Sequence, residues 1–349
     1  MRLEPRSDAT LAHTLLFPAG AVLLTLIIAA GLVLLAGASP FSVFGLVLKG
    51  AVGSEFALLE TLTRATPLIF TGLAVAVAFR ARLWNIGAEA QLYIGAVVTV
   101  VLGTGILPLP GPVLVPVLIA GVVCAGGLLL LGPAYLKIRF GVDEVVTTLL
   151  MNFIILLFVS MLLEGPLKDP MGLGWPQSKR VTEDVQLPRL IRGKRLHLGF
   201  GLALISALAT WVIMKKTVFG YEMRAVGHNA EAARFAGIPV NIVLMKTALL
   251  SGGLAALAGY SEVAGLKGNL TLDLSPGFGY TGIVVAMLAM LNPLGIVLSA
   301  IFVAGIFVGA DAMSRSAKVP SYIADVMTAT ALLTMVAAIM LARYRVRWR

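Results

Sequence analysis

The amino-acid sequence predicts an all-α integral membrane protein of about ten transmembrane helices, with the N- and C-termini both cytoplasmic. Three observations predict it. The chain is 59% hydrophobic and only 13% charged, with a mean hydropathy of +0.96, outside the range of soluble domains. Apolar runs of roughly 20 residues recur along it, the length a helix needs to cross the hydrocarbon core. The 27 Lys and Arg residues lie in the connections and at the chain ends rather than in those runs. That distribution ties the net charge of +10 to membrane topology and not to nucleic acid. Cys124 is the single cysteine, so no disulfide framework exists; set in an apolar run, it reads as a buried small hydrophobe. Residues 1–349 read as one transmembrane domain.

Arg2 and Arg6 precede the first span, 15–35. Ala36-Gly37-Ala38 resembles a signal-peptidase site, but the run is too long for a signal peptide and further spans follow, so the first helix is expected to stay uncleaved. The stretch 40–60 is only moderately apolar, with Lys49, Glu55 and Glu60, and predicts short helices along the outer face. The second span, near 58–79, opens on Thr61, Thr63, Arg64, Thr66 and Pro67, and Arg80 and Arg82 mark its cytoplasmic end. Asn85, Gly87, Glu89 and Gln91 then begin the third span, which runs to 102. Asn85 and Glu89 are four apart and are expected on one helix face, turned toward protein or water because a carboxylate facing lipid is costly. Two readings of Glu89 stand level: an ion pair with Arg80 or Arg82 at the membrane edge, or a place on a polar pathway.

Four prolines in PLPGPVLVP (108–116) predict a turn before the fourth span, 117–131, and Lys137 and Arg139 mark a second cytoplasmic connection. The fifth span, 141–163, carries Asp143 and Glu144 at its N-terminus, where the helix dipole favours carboxylates. Asn152, about two turns in, is the expected maker of an interhelical hydrogen bond. The hydrophilic loop 167–196 holds seven Lys or Arg residues, yet the alternation of spans places it outside. With that loop set aside, fourteen basic residues fall inside and five outside, the asymmetry expected for a cytoplasmic N-terminus.

The sixth span is 198–214, and the connection 215–240 after it is cytoplasmic. Within that connection Asn229 is expected to cap a short helix over 230–236, with Glu231 in its first turn. Gly237 suits the left-handed position that ends a helix, and Pro239 prevents continuation. The seventh span, 240–260, sets Ser251, Ala255 and Gly259 on one close-packing face and ends outside at Glu262. A Gly-rich outer segment, 265–282, leads into the eighth span. Gly277 is expected in a turn; Gly279 and Gly282 are expected at close helix contacts. After the Asn292-Pro293 turn comes the ninth span, 294–308, with Gly305 and Gly309 as a small-residue pair. Asp311, Arg315 and Lys318 are expected in an outer loop, and the tenth span, 320–341, carries Asp325, a partner for Arg315 or Lys318 or a pore-facing acid. Arg343, Arg345, Arg347 and Arg349 anchor the end inside.

Several blocks carry a family resemblance. GYEMRAVGHNAEAARFAGI (220–238) resembles the coupling loop of ATP-binding-cassette (ABC) importer permeases of the branched-chain amino acid, simple sugar and nucleoside group. WNIGAEAQLYIGA (84–96) is similar to that family's Phe-Asn-Ile-Gly-x-Glu-Gly-Gln block, with Trp84 and Ala90 as departures. Glu144, Thr147, Thr148 and Asn152 match a Glu-Val-x-x-Thr-x-x-x-Asn stretch, and GFGYTGIVVAML (277–288) resembles a Gly-rich block. With PSYIADVMTATALL (320–333) at its expected place, the resemblance covers almost the whole chain and is strongest to the nucleoside-type permeases.

The resemblance implies a membrane-spanning permease subunit that moves a small polar solute, a nucleoside first and a ribose- or galactose-like simple sugar as the alternative. It implies an ATPase subunit as partner, a second permease (paralogous or identical), an extracytoplasmic solute-binding protein and surrounding lipid, in the plasma (inner) membrane of a bacterium. The ATPase contact falls to Glu222, Arg224, Gly227, Asn229, Ala232 and Gly237. The candidate solute path comprises Asn85, Glu89, Gln91, Asn152, Gly279 and Gly282. No cofactor is expected in this chain: it has no Gly-x-x-x-x-Gly-Lys-Ser/Thr loop, so ATP and Mg²⁺ belong to the partner ATPase. His13, His197 and His228 are scattered, so no metal site is expected, and no nucleophile–base pair suggests an enzyme. A secondary transporter would need ion-coupling acids near mid-membrane, whereas Glu89, Glu144, Glu262, Asp311 and Asp325 all fall toward span ends.

Overall fold

The structure, a computed structural model, describes residues 2–5, 11–35, 37, 39–105, 109–317, 326, 329–330, 333–334, 337–338 and 344–347. It is built from helices: α1 (Leu11–Leu35), α2 (Pro40–Val52), α3 (Glu55–Arg80), α4 (Ala88–Gly103), α5 (Gly111–Phe140), α6 (Glu144–Glu164), α7 (Gly199–Lys216), α8 (Val218–His228), α9 (Ala230–Phe235), α10 (Val240–Glu262), α11 (Phe278–Leu288) and α12 (Pro293–Ala317). Two short strands, β1 (Arg2–Pro5) and β2 (Tyr344–Arg347), pair antiparallel with Arg2 opposite Arg347. Among the described residues six helices are long and apolar enough to cross a membrane: α3, α5, α6, α7, α10 with its extension, and α12.

The chain forms two compact units. The first comprises residues 1–61 and 301–349. Its core gathers Val33, Val43, Ala310 and Met313, with Phe44, Leu46 and Val47 packed against them. α1 and α2 meet at a bend of 115°. Thr61 Oγ1 donates to Ala51 O at 2.8 Å, so the start of α3 is tied to the end of α2. Gly309 lies against the Val47 carbonyl, the close approach expected of the Gly305/Gly309 pair. Asp311 and Arg315 are helical residues of α12, not members of an outer loop: Asp311–Ala317 contains no Gly or Pro to stop the helix, so it runs 25 residues. The tenth span, Lys318 and Asp325 lie outside the described residues, apart from isolated positions in that span.

The second unit, residues 62–300, holds the remaining helices. Every residue from 65 to 79 of α3 is buried, whereas α6 buries only 22% of its most apolar window, so α3 is central and α6 peripheral. α10 packs on α4 and α5. Small residues make that possible: Gly259 sits against the Leu92 carbonyl of α4, and Gly252 against the Gly126 carbonyl of α5. Cys124 corrects its expectation. It is exposed, because α5 turns that side away from α4 and α10. Two expected spans are shorter than the hydrocarbon core requires: α4 has 16 residues and α11 only 11. α11 stops where Met290 and Leu291 take left-handed conformations (φ 52 and 57), ahead of Pro293.

Candidate functional site

The polar groups of the second unit converge on the break between α3 and α4. The expected single helix through Asn85 and Glu89 does not form. Arg82 is left-handed (φ 53), residues 83–86 have no helical pattern, and α4 begins only at Ala88. Asn85 and Glu89 therefore do not share a helix face. Buried backbone groups released from a helix must find other partners. Here α6 supplies them. Glu144 Oε1 accepts from Trp84 N at 3.2 Å, and Thr148 Oγ1 accepts from Ile86 N at 3.2 Å. Asn152 Oδ1 accepts from Ala90 N at 2.9 Å, while its Nδ2 donates to Ile86 O at 3.0 Å and to the Tyr280 hydroxyl at 3.0 Å. Glu144, Thr148 and Asn152 stand at four-residue intervals, so one face of α6 forms a ladder for the unwound segment. Lys137, in the last turn of α5, closes the ladder at its Glu144 end by donating to Arg82 O at 3.0 Å and pairing with Glu144.

Inside the break, Asn85 and Gln91 bond amide to amide at 2.9 and 3.0 Å. Asn85 Nδ2 also donates to Ser251 Oγ of α10 at 3.0 Å, and Ser251 donates to Ala74 O of α3 at 2.8 Å. Glu89 takes no Arg80 or Arg82 partner. Its Oε2 accepts from Gly279 N at 2.6 Å, in the first turn of α11, where a carboxylate meets the positive end of the dipole. Arg80 instead donates to Leu291 O at 3.1 Å. Gly277 is the left-handed N-cap of α11 (φ 89), a turn as expected, with Ser275 Oγ accepting from Phe278 N at 2.9 Å. Gly279 and Gly282 are close contacts: a Cβ on Gly279 would lie 2.6 Å from Glu89 Cα, and one on Gly282 2.6 Å from Thr71 Oγ1. The structure thus gathers these residues at one break in three bonded sets, Asn85 with Gln91 and Ser251, Asn152 with Tyr280 and the backbone of Ile86 and Ala90, and Glu89 with Gly279, with Gly282 one turn further along α11. Asn85 and Asn152 are 0% exposed, Gln91 1% and Glu89 3%, so in this conformation these side chains are buried among the helices.

The connection 215–240 is two helices rather than one. The sequence reading missed α8, although Thr217 accepts from Gly220 N at 3.2 Å as its N-cap and Gly220, Met223, Val226 and Gly227 form a buried face at helical spacing. Arg224 donates to the Met214 carbonyl in the last turn of α7. Gly227 is pressed on the Arg80 carbonyl at the end of α3. α9 forms as expected: Asn229 Oδ1 accepts from Glu231 N and Ala232 N, both at 3.0 Å, and Gly237 is left-handed (φ 83). Only Ala233 of α9 is buried; Ala232 is exposed, and Phe235 is 97% exposed. Glu222 is half-buried on α8.

At the far end of α7, the hydrophilic loop is ordered over the ends of α4 and α10. Thr182 N donates to Gly103 O at 2.8 Å, Val181 N to Gly268 O at 2.9 Å and Leu187 N to Ala264 O at 2.8 Å. His197 closes this loop from a buried position, and burial pushes its imidazole down to about 4.

Residues 57–343 match the family described as "Branched-chain amino acid transport system / permease component". The chain is 33% identical to the glucose ABC transporter permease TsgB13 of Haloferax volcanii, over 99% of this chain and 93% of that one. It is 36% identical to the guanosine ABC transporter permease NupP of Bacillus subtilis, over 93% of each chain. It is 27% identical to the nucleoside ABC transporter permease NupB of Lactococcus lactis, over 90% of this chain and 88% of that one. With six membrane-length helices and these relatives over nearly its full length, the chain belongs to the permease-component family of branched-chain amino acid transport systems and is a multi-pass permease of the ABC-transporter type.

Proposed function

We propose that this permease imports a nucleoside through a single permease domain of ten spans with both termini cytoplasmic, in the plasma membrane of a bacterium. It pairs with a second permease, receives solute from an extracytoplasmic binding protein and is driven by an ATPase subunit that binds ATP and Mg²⁺. The observation that carries the coupling half of this reading is α9: a capped six-residue helix, five of its residues unburied, held between α8 and the membrane-length α10. Asn229 and Gly237 fix its two ends, so force on Ala232 and Phe235 passes to α7 and α10 as rigid-body motion. For the solute, the relatives named for guanosine and nucleosides support a nucleoside. The relative named for glucose, at 33% identity over 99% of the chain, supports a simple sugar as the second reading. The path opens, in this proposal, where Asn85, Glu89, Gln91, Asn152, Gly279 and Gly282 meet.

The test is ATP-dependent uptake by the reconstituted importer. Labelled guanosine should accumulate and excess glucose should not compete; competition by glucose alone would move the assignment to sugars. Gly237→Val places a β-branched residue at positive φ, and Ala232→Glu puts a bulky charge on the docking face. Both should leave the permease in the membrane and abolish either ATPase copurification or solute-stimulated hydrolysis. Normal copurification with normal stimulation in both variants would remove α9 from the coupling path.

A further inference from the structure

We infer that residues 80–87 are a transmission joint through which α8 moves the polar network, and that Thr148 is the positioning residue that holds its register. This rests on the reading that the ATPase acts on α8 and α9. The proximal contact is Gly227 on the Arg80 carbonyl, where a single added methyl would collide with backbone, so α8 and the last turn of α3 move together. Downstream of Arg80 the chain leaves the helix, and three side chains of α6 replace the backbone ladder at Trp84, Ile86 and Ala90. Interhelical side-chain bonds in membrane proteins average about 0.6 kcal/mol, so these rungs yield far more readily than the helices on either side. The segment can therefore exchange rungs while α3 and α4 stay rigid, which is the two-state behaviour that coupling needs. Beyond it, the Glu89 bond to Gly279 N hands the movement of α4 to α11. Thr148 sits at the middle rung: its hydroxyl accepts from Ile86 N and donates to Glu144 O at 2.6 Å.

The test uses the complete importer in proteoliposomes, with its ATPase and binding protein. Thr148→Val keeps the shape of the side chain and removes the hydroxyl; Thr148→Ser keeps the hydroxyl. Thr148→Val should retain the bound ATPase subunit and its unstimulated hydrolysis yet lose stimulation by loaded binding protein, and Thr148→Ser should restore it. Hydrogen exchange of the peptide covering residues 83–90 should change on ATP binding in the parent protein and stay unchanged in Gly227→Ala. Parent-like stimulation in Thr148→Val, equal losses in the Val and Ser variants, or a nucleotide response that survives Gly227→Ala would each overturn the joint. Should Thr148→Val fail to assemble, the exchange experiment decides alone. If Gly237→Val uncouples while these variants do not, the joint is wrong and α9 docking stands; if none of them uncouples, the docking reading itself fails.

Discussion

Glu89 shows how one side chain ties two short helices together. It belongs to the first turn of α4, and its carboxylate accepts the Gly279 N–H in the first turn of α11 at 2.6 Å. Glu89→Gln keeps one oxygen acceptor for Gly279 N and gives up the charge–dipole attraction, about 0.3–1 kcal/mol. Glu89→Leu leaves a buried N–H unmet and should cost about 1–3 kcal/mol. Melting of the purified protein should therefore rank parent, Gln variant and Leu variant in that order. Transport should already fall in the Gln variant if the carboxylate belongs to the solute path. Unchanged uptake at saturating solute would leave Glu89 a purely structural cap. Asn152 was legible as an interhelical donor because an amide in an apolar run has few other uses. The partner of Glu89 was not legible, since nothing local joins residues 190 positions apart.

At the scale of elements, the terminators were readable and the interruptions were not. Asn229, Gly237 and Pro239 bracket α9 because capping depends on residues one to three positions away. The unwinding at 83–86 depends on Glu144, Thr148 and Asn152 some sixty positions on, so local periodicity carries a helix straight through it. α8 carries a readable amphipathic pattern, with Thr217 as its cap and Gly220, Met223, Val226 and Gly227 at helical spacing, but at 11 residues it is too short and too polar to register as a membrane span. The loop over α4 and α10 carries its own prediction. His197 Nδ1 accepts from Gly199 N at 3.1 Å, while Nε2 is buried without a hydrogen-bond partner among the described residues. Its folded pKa of about 4 lies below the usual 6.5, so the unfolded chain takes up the proton first. Stability should hold above pH 6.5 and decline as pH falls toward 4, by about 3 kcal/mol in total. Comparing melts at pH 7 and pH 5 in the parent and in His197→Gln measures it; an equal drop in both would assign the decline to other groups.

For the whole molecule, α7 is the element on which a test of sidedness turns. It has 18 residues and so spans roughly 27 Å, close to the hydrocarbon thickness. A crossing by α7 would put the loop that precedes it and the α8–α9 pair that follows it on opposite faces of the membrane, whatever the orientation of the rest. The charges argue which face is which: Lys215 and Lys216 close α7 beside Arg224 and Arg234, and with alternating spans fourteen basic residues fall on that side against twelve on the other, seven of them in the loop before α7. Cysteines at Met171, 86% exposed in the loop, and at Ala236, exposed beside α9, should report this directly. Cys124 is itself exposed, so both belong in a Cys124→Ala background. In intact cells an impermeant maleimide should label Met171→Cys and spare Ala236→Cys, and inverted vesicles should reverse the pattern. Labelling of both from one side would mean that α7 does not cross. The reverse pattern would keep the helices, turn the permease over and place α9 out of reach of a cytoplasmic ATPase.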